Sequence, residues 1–355
     1  RYIGDWSSDV CSSDLLIRNI GTTNTVLLEG QPGVGKSAVL KMLATELPDY
    51  MPCYIDCANL DLGDLGMPVI NREAMLTEYA PNARFGIGRN QNRPVVLMLD
   101  ELGKALKPVL NMLLPVMLER RLMDIPLPLG SYVFATTNLK TDGVGDNIPA
   151  HVYNRLTVVD VANPESEAWL TWAANNDIAP EVMAFARDYP QVFERYDQMK
   201  DSKNPYIFNP MTGNVRAFCS PRSLEKASNI IKVRDAIGDA MLPALAGTVG
   251  ESAARDLEAN IALVDQLPRK EAVLSAPEKA KLPEGAGAYF LMAFRMAAWA
   301  DDTNLDALMT YAKRWSSFEA NTLFLSTLAS NKAKVGMCCK HRAFTESIAK
   351  VGKYF

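Results

Sequence analysis

No stretch of this chain stays apolar for the roughly 20 residues that a bilayer-spanning helix needs, so no membrane crossing is expected. No secretory-signal pattern is visible at its start either, and a cytoplasmic location is the expectation. Histidine is nearly absent, with two in 355 residues, and the six cysteines show none of the paired spacings of a zinc site. Cys338-Cys339-Lys340-His341 puts ligating residue types side by side, but adjacent cysteines lack the spacing of a zinc knuckle. Reduced thiols are the simpler account, with Cys53 and Cys57 expected to pack in a core. An excess of basic charge is also missing. With 37 Lys and Arg against 41 Asp and Glu, the net charge of −4 offers no overall footprint for nucleic acid. The composition is that of a chain with room for two or three domains and a substantial core.

What the chain does have is a complete G-x-x-x-x-G-K-[ST] loop: Gly30, Gln31, Pro32, Gly33, Val34, Gly35, Lys36 and Ser37. The apolar run Thr25-Val26-Leu27-Leu28 predicts a strand leading in. Behind the loop, residues 37–44 carry apolar residues at helical spacing, and this helix is expected to end near Pro48. Glycines let backbone N–H groups curl around phosphate oxygens, and a helix N-terminus adds positive potential there. Lys36 is expected at the β- and γ-phosphates, and the Ser37 hydroxyl as a ligand of Mg²⁺. The expected ligand is ATP with Mg²⁺.

A second run, Pro94-Val95-Val96-Leu97-Met98-Leu99, ends in Asp100 and Glu101. Unalternating apolar residues suit a parallel strand covered on both faces, and ligands of open α/β sheets bind at the C-terminal ends of such strands. Asp100 is expected in the Mg²⁺ shell, with Glu101 polarising the attacking water. Tyr132–Asn138 and Leu156–Val161 read as two more strands, and Cys53–Cys57 as a shorter fifth. Helical patterns separate them, which predicts an α/β fold with a parallel sheet and right-handed crossovers.

From about Thr25 to about Leu267 the order of these motifs resembles the AAA+ ATPases, in particular the MoxR-like and dynein-related branch. In that family's terms Gly30–Ser37 is Walker A and Val95–Leu102 is Walker B. The resemblance implies a P-loop AAA+ sheet of five strands with helices on both faces, followed by an α-helical lid and a C-terminal helical region. It makes Asn138 the sensor 1 residue, Arg155 an arginine reaching into a neighbouring subunit's site, and Arg222 the sensor 2 arginine at a helix start in the lid. The stretches Leu113–Arg121 and Gly247–Pro268 also look like this branch. It implies a ring, expected as a hexamer, and a protein client, with von Willebrand factor A domain proteins as the partner. Residues 59–92 hold a pore-facing insertion in the family; no pore loop can be placed here by residue, and Asn59 is expected to couple subunit state to Glu101.

Asp5–Leu15, DWSSDVCSSDL, reads as the translation of one frame of a common short-read sequencing adaptor. Residues 1–15 are therefore expected to be an assembly artefact joined to a truncated gene. The expected divisions are an ATPase domain over residues 16–163, a lid over 164–268, a linker over 269–285 and a helical region over 286–355. The basic end (Lys332, Lys334, Lys340, Arg342, Lys350 and Lys353) is expected to be a solvated helix face. The favoured function is an ATP-driven machine that remodels a protein. The alternatives are a nucleic-acid motor or restriction-type GTPase, and a nucleotide switch with negligible turnover.

Overall fold

A computed structural model describes residues 6–88, 93–139, 148–196, 204–210 and 216–351, with the side chains of 6–12 left aside. The Gly/Asn/Arg-rich stretch Phe85–Arg93, the Tyr/Pro/Asn-rich stretch Asp188–Thr212 and Lys353 fall partly or wholly outside these residues. The chain divides into two compact units at Asn163–Pro164, apart from a short segment from Asn209 that clusters with the first.

The first unit runs α1 (Trp6–Ile20), β1 (Thr25–Glu29), α2 (Ala38–Glu46), β2 (Met51–Asp56), β3 (Gly66–Asn71), β4 (Leu76–Pro81) and β5 (Val95–Asp100). It continues through α3 (Lys107–Glu119), β6 (Arg121–Leu122), β7 (Ile125–Pro126), β8 (Tyr132–Thr137), α4 (Ala150–Tyr153) and β9 (Leu156–Asp160). Five strands form one parallel sheet in the order β2-β5-β8-β1-β9. All five expected strands are present, in the parallel α/β sheet expected of them. The three inner strands are apolar because both faces are covered. One core takes Leu27, Leu97, Leu99 and Val133 with α3, and the other takes Val26, Leu28, Met98 and Phe134 with α1 and α2. β2 and β9 lie at the edges, and β2 buries Cys53 and Ile55 while Pro52 and Tyr54 face out. Burial pushes the Cys53 thiol up to about 11, so it packs as a small apolar group.

Between β2 and β5 stands an antiparallel hairpin, β3–β4, paired from Gly66↔Pro81 to Asn71↔Leu76. It exposes Met67, Val69, Ile70, Met75, Leu76 and Tyr79. Arg120 ties the opposite end of the sheet. Its guanidinium donates to Gly21 O and Thr25 Oγ1 at 2.9 and 3.0 Å and also to Met117 O, joining the end of α3 to the entry of β1.

The second unit is helical: α5 (Ser166–Asn175), α6 (Pro180–Asp188), α7 (Pro221–Lys232), α8 (Arg234–Ile237), α9 (Met241–Val249) and α10 (Glu251–Val264). After these come α11 (Lys270–Ser275), α12 (Ala286–Trp299), α13 (Leu305–Ala312), α14 (Phe318–Ser330), α15 (Val335–Cys338) and α16 (Arg342–Val351). α6 packs against α5, α7, α10 and α12, and α12 packs in turn against α14. Helices central to a bundle read as apolar nearly all round, as α12 does. Residues 269–285, expected as a linker, carry α11 and pack into this same unit. Val273 is buried, Tyr311 OH donates to Lys281 O, and Arg314 donates to Pro277 O and Ala280 O.

The basic end is partly spent on structure. Lys334 Nζ donates to Ala297 O and Ala298 O at 2.7 Å each, capping the last turn of α12. His341 donates from Nδ1 to Asp306 at 3.2 Å and from Nε2 to Asp302 at 3.3 Å, which links the start of α16 to α13. Burial works against its charge, but the bonds to Asp306 and Asp302 outweigh it and hold the imidazolium above its ordinary pKa. A raised pKa stabilises the fold below the unfolded value of about 6.5, and that contribution is lost as pH rises through the folded value. The melting temperature should therefore fall from pH 6 to pH 8 more steeply in the native chain than in His341→Gln. Parallel melting curves for the two proteins would show that this contact carries no pH-dependent stability.

Candidate functional site

Parallel pairing sends the C-terminal ends of β1, β5 and β8 to one edge of the sheet, and the register puts Leu99 beside Ala135 and Glu29 beside Thr137. The loop Gly30–Ser37 leaves β1 at this edge and Ser37 stands at the start of α2. Gly35 turns the loop with φ 104°, a left-handed conformation that a side chain would strain. Gly30 is needed for closeness: a Cβ there would lie 2.6 Å from Val161 O, just beyond β9. Val34 is buried in the core under α2 and anchors the loop. Gln31 is buried as well, and its Oε1 accepts from Asn163 Nδ2 at 3.0 Å.

Lys36 lies inside the loop, 8% exposed. Its ammonium donates to Gly30 O at 2.6 Å, Gln31 O at 2.9 Å and Asn138 Oδ1 at 3.1 Å. Asn138, at the tip of β8, is thus brought onto the phosphate loop from 102 residues away. Asp100 ends β5 and is nearly buried. Its Oδ2 accepts from Ser37 Oγ at 3.3 Å and from Tyr54 OH at 2.9 Å, while its Oδ1 accepts from Thr136 Oγ1. Partial desolvation and the Asp100 carboxylate both push Tyr54 up, so its phenol stays protonated as a donor.

Glu101 takes a left-handed conformation, φ 53° and ψ 43°. Its N–H donates to Thr136 Oγ1 at 3.2 Å, and its carbonyl accepts from Lys104 N at 2.9 Å. The carboxylate is half-exposed and pairs with Lys104 Nζ at 2.8 Å. The structure therefore gathers Lys36, Ser37, Asp100, Glu101 and Asn138 at one edge, together with Thr136 and Tyr54, which sequence reasoning missed. Thr136 had a signal in the polar Thr-Thr-Asn tip of its strand. Tyr54 had none, because it belongs to no motif.

Three further residues have local settings of their own. Arg155 is exposed between α4 and β9, where its Nη1 donates to His151 O at 3.1 Å. Arg222 is in the second unit, exposed in the first turn of α7 behind a capping box made by Ser220 and Ser223. Asn59, expected to couple subunit state to Glu101, donates to Asp56 Oδ2 at 2.7 Å.

Residues 26–158 match the family described as ATPase family associated with various cellular activities (AAA). The match spans the sheet from β1 to β9 and less than half of the chain. No curated protein matches the chain. Among solved structures, NtrX from Brucella abortus, determined in complex with ADP, is similar at 14% identity. That likeness covers 99% of this chain and 70% of NtrX, with a TM-score of 0.41. The RuvB Holliday junction branch migration motor of Thermotoga maritima is similar at 14% identity over 86% of this chain and 87% of its own, with a TM-score of 0.40.

The loop Gly30–Ser37 should be intolerant of added bulk at its tightest point. Gly30→Ala must move either the loop or the end of β9, so nucleotide affinity should fall at least about 10-fold, with a loss of stability on the order of 1–3 kcal/mol. Fluorescent-nucleotide titration and chemical denaturation measure the two effects. An alanine variant with native affinity would mean that the Val161 contact does not constrain the loop.

Proposed function

We propose that this chain is a subunit of a ring-forming AAA+ machine that binds ATP with Mg²⁺, hydrolyses it and remodels a protein client. The observation that carries the reading is the convergence of Lys36, Ser37, Asp100, Glu101 and Asn138 on one sheet edge. A buried ammonium lined by carbonyls and an amide oxygen is ready to exchange those partners for phosphate oxygens. Ser37 Oγ and Asp100 Oδ2 lie 3.3 Å apart, an all-oxygen pair of the hard-donor type that suits Mg²⁺. Bound there, Mg²⁺ would neutralise charge developing on the phosphates. Glu101 would accept the proton of the attacking water, and Asn138, already tied to the phosphate loop, would orient that water.

Arg155 fits a role in a neighbouring copy, because it is exposed and its one described side-chain hydrogen bond is to a local carbonyl. Arg222 would act from the lid. The MoxR-like branch, and with it a client bearing a von Willebrand factor A domain, rests on the sequence resemblance. A nucleic-acid motor is less favoured, since Lys334 is committed to capping α12 and the net charge is −4.

Lys36→Ala should lose nucleotide affinity, whereas Glu101→Gln should bind ATP normally and lose at least about 100-fold in turnover. Retained turnover in Glu101→Gln would remove Glu101 from the chemistry, and equal binding loss in both would remove both assignments.

Arg155→Ala should bind ATP but hydrolyse it about 10³- to 10⁵-fold more slowly, the range for a guanidinium acting on transferring phosphate. Mixed with Glu101→Gln, it should regain partial activity, because some interfaces would pair an intact Glu101 with an intact Arg155. Co-assembled rings that show no recovery would place Arg155 in its own site or in a structural role.

A further inference from the structure

The reading of Asp100 as part of a metal–nucleotide site leaves one of its partners unexplained. Thr136 and Ser37 come from segments that the ATPase reading already uses, the tip of β8 and the phosphate loop. Tyr54 comes from β2, the edge strand, and its hydroxyl lies 2.9 Å from Asp100 Oδ2. The register explains the reach. Tyr54 pairs with Met98, two residues before Asp100, so Tyr54 and Asp100 share a sheet face and the phenol leans forward by one pleat.

A carboxylate turns easily about its last torsion, which is broad and two-fold. With Thr136 on Oδ1 and Tyr54 on Oδ2, the plane is held from both sides. Ser37 cannot do this alone. Its bond to Oδ2 is longer, at 3.3 Å, and its oxygen is itself a candidate ligand. Tyr54 is 51% exposed, so packing does not account for the residue. We infer that Tyr54 is a positioning residue for the metal–nucleotide complex: its hydroxyl fixes the Asp100 carboxylate in the orientation that meets the divalent cation. The inference rests on the proposed ATP site and adds to it a residue outside every motif.

Tyr54→Phe keeps the ring and removes the one bond. Affinity for a fluorescent ADP analogue is measured with Mg²⁺ and with EDTA, and Mn²⁺ binding to the ADP-loaded protein is followed by electron paramagnetic resonance. Metal-free nucleotide affinity and melting temperature should not change. The tightening that metal confers, and Mn²⁺ affinity itself, should fall about 10-fold, as expected for loss of a partner that orients a metal-binding carboxylate. Unaltered metal dependence in Tyr54→Phe would overturn the inference, and so would tighter Mn²⁺ binding, which would make Tyr54 a competitor of the metal. Equal weakening with and without metal would overturn it too, by reducing Tyr54 to a structural part. A native protein whose nucleotide affinity ignores metal would sink the underlying reading of Asp100, and the inference with it.

Discussion

A buried ammonium must be surrounded by acceptors, because an isolated charge in a protein interior costs several kcal/mol or more. Lys36 is such a group, and the nucleotide site is arranged around it. Two of its acceptors, Gly30 O and Gln31 O, belong to the loop that carries it, so the loop closes on its own lysine. Another, Asn138 Oδ1, lies just past the end of β8 and is within reach because β8 pairs with β1 in parallel register. The sheet order is thereby linked to the electrostatics of the loop. A phosphate entering the loop has to replace these bonds with equivalent ones, so affinity is a difference between two well-satisfied states of one cation.

This much was legible in the sequence because it rests on local signals. β5 is buried along its whole length, and a strand of that kind leaves an unalternating apolar run. The phosphate loop is a contiguous motif whose glycines have separate steric reasons. β2 was the weakest of the expected strands, and its place at the sheet edge explains why. An edge strand buries one face, so Cys53 and Ile55 alternate with exposed Pro52 and Tyr54 and the run is short.

Other features depend on partners that no local window contains. The β3–β4 hairpin lacks the inward-facing alternation that marks a strand, because its apolar residues face solvent. Its turn, Arg72–Met75, has no glycine, and Met75 takes the positive φ of 52° instead. Residues 269–285 have the Pro, Lys and Glu content of an open linker, yet Arg314 and Tyr311 order their carbonyls from 30 or more residues downstream. Tyr54 is the same case in miniature. Its distinguishing contact is to a residue 46 positions away, and nothing about a tyrosine in an edge strand announces it.

Two adjacent carboxylates at a strand end pose a geometric problem of their own. Consecutive side chains of an extended strand point to opposite faces, so an Asp-Glu pair can serve one site only if the backbone breaks between them. Glu101 makes that break by adopting a left-handed conformation, which costs a non-glycine residue about 1–2 kcal/mol. The turn is held by its own bonds: the Glu101 N–H goes to Thr136, its carbonyl accepts from the Lys104 N–H, and its carboxylate pairs with the Lys104 ammonium. Leu102, fully buried directly behind, fixes the turn to the core. Thr136 therefore joins the two carboxylates, donating to Asp100 with the same oxygen that accepts from the backbone of Glu101. A change in the orientation of Asp100 would be passed through that hydroxyl to Glu101, which couples the two carboxylates without a direct contact between them.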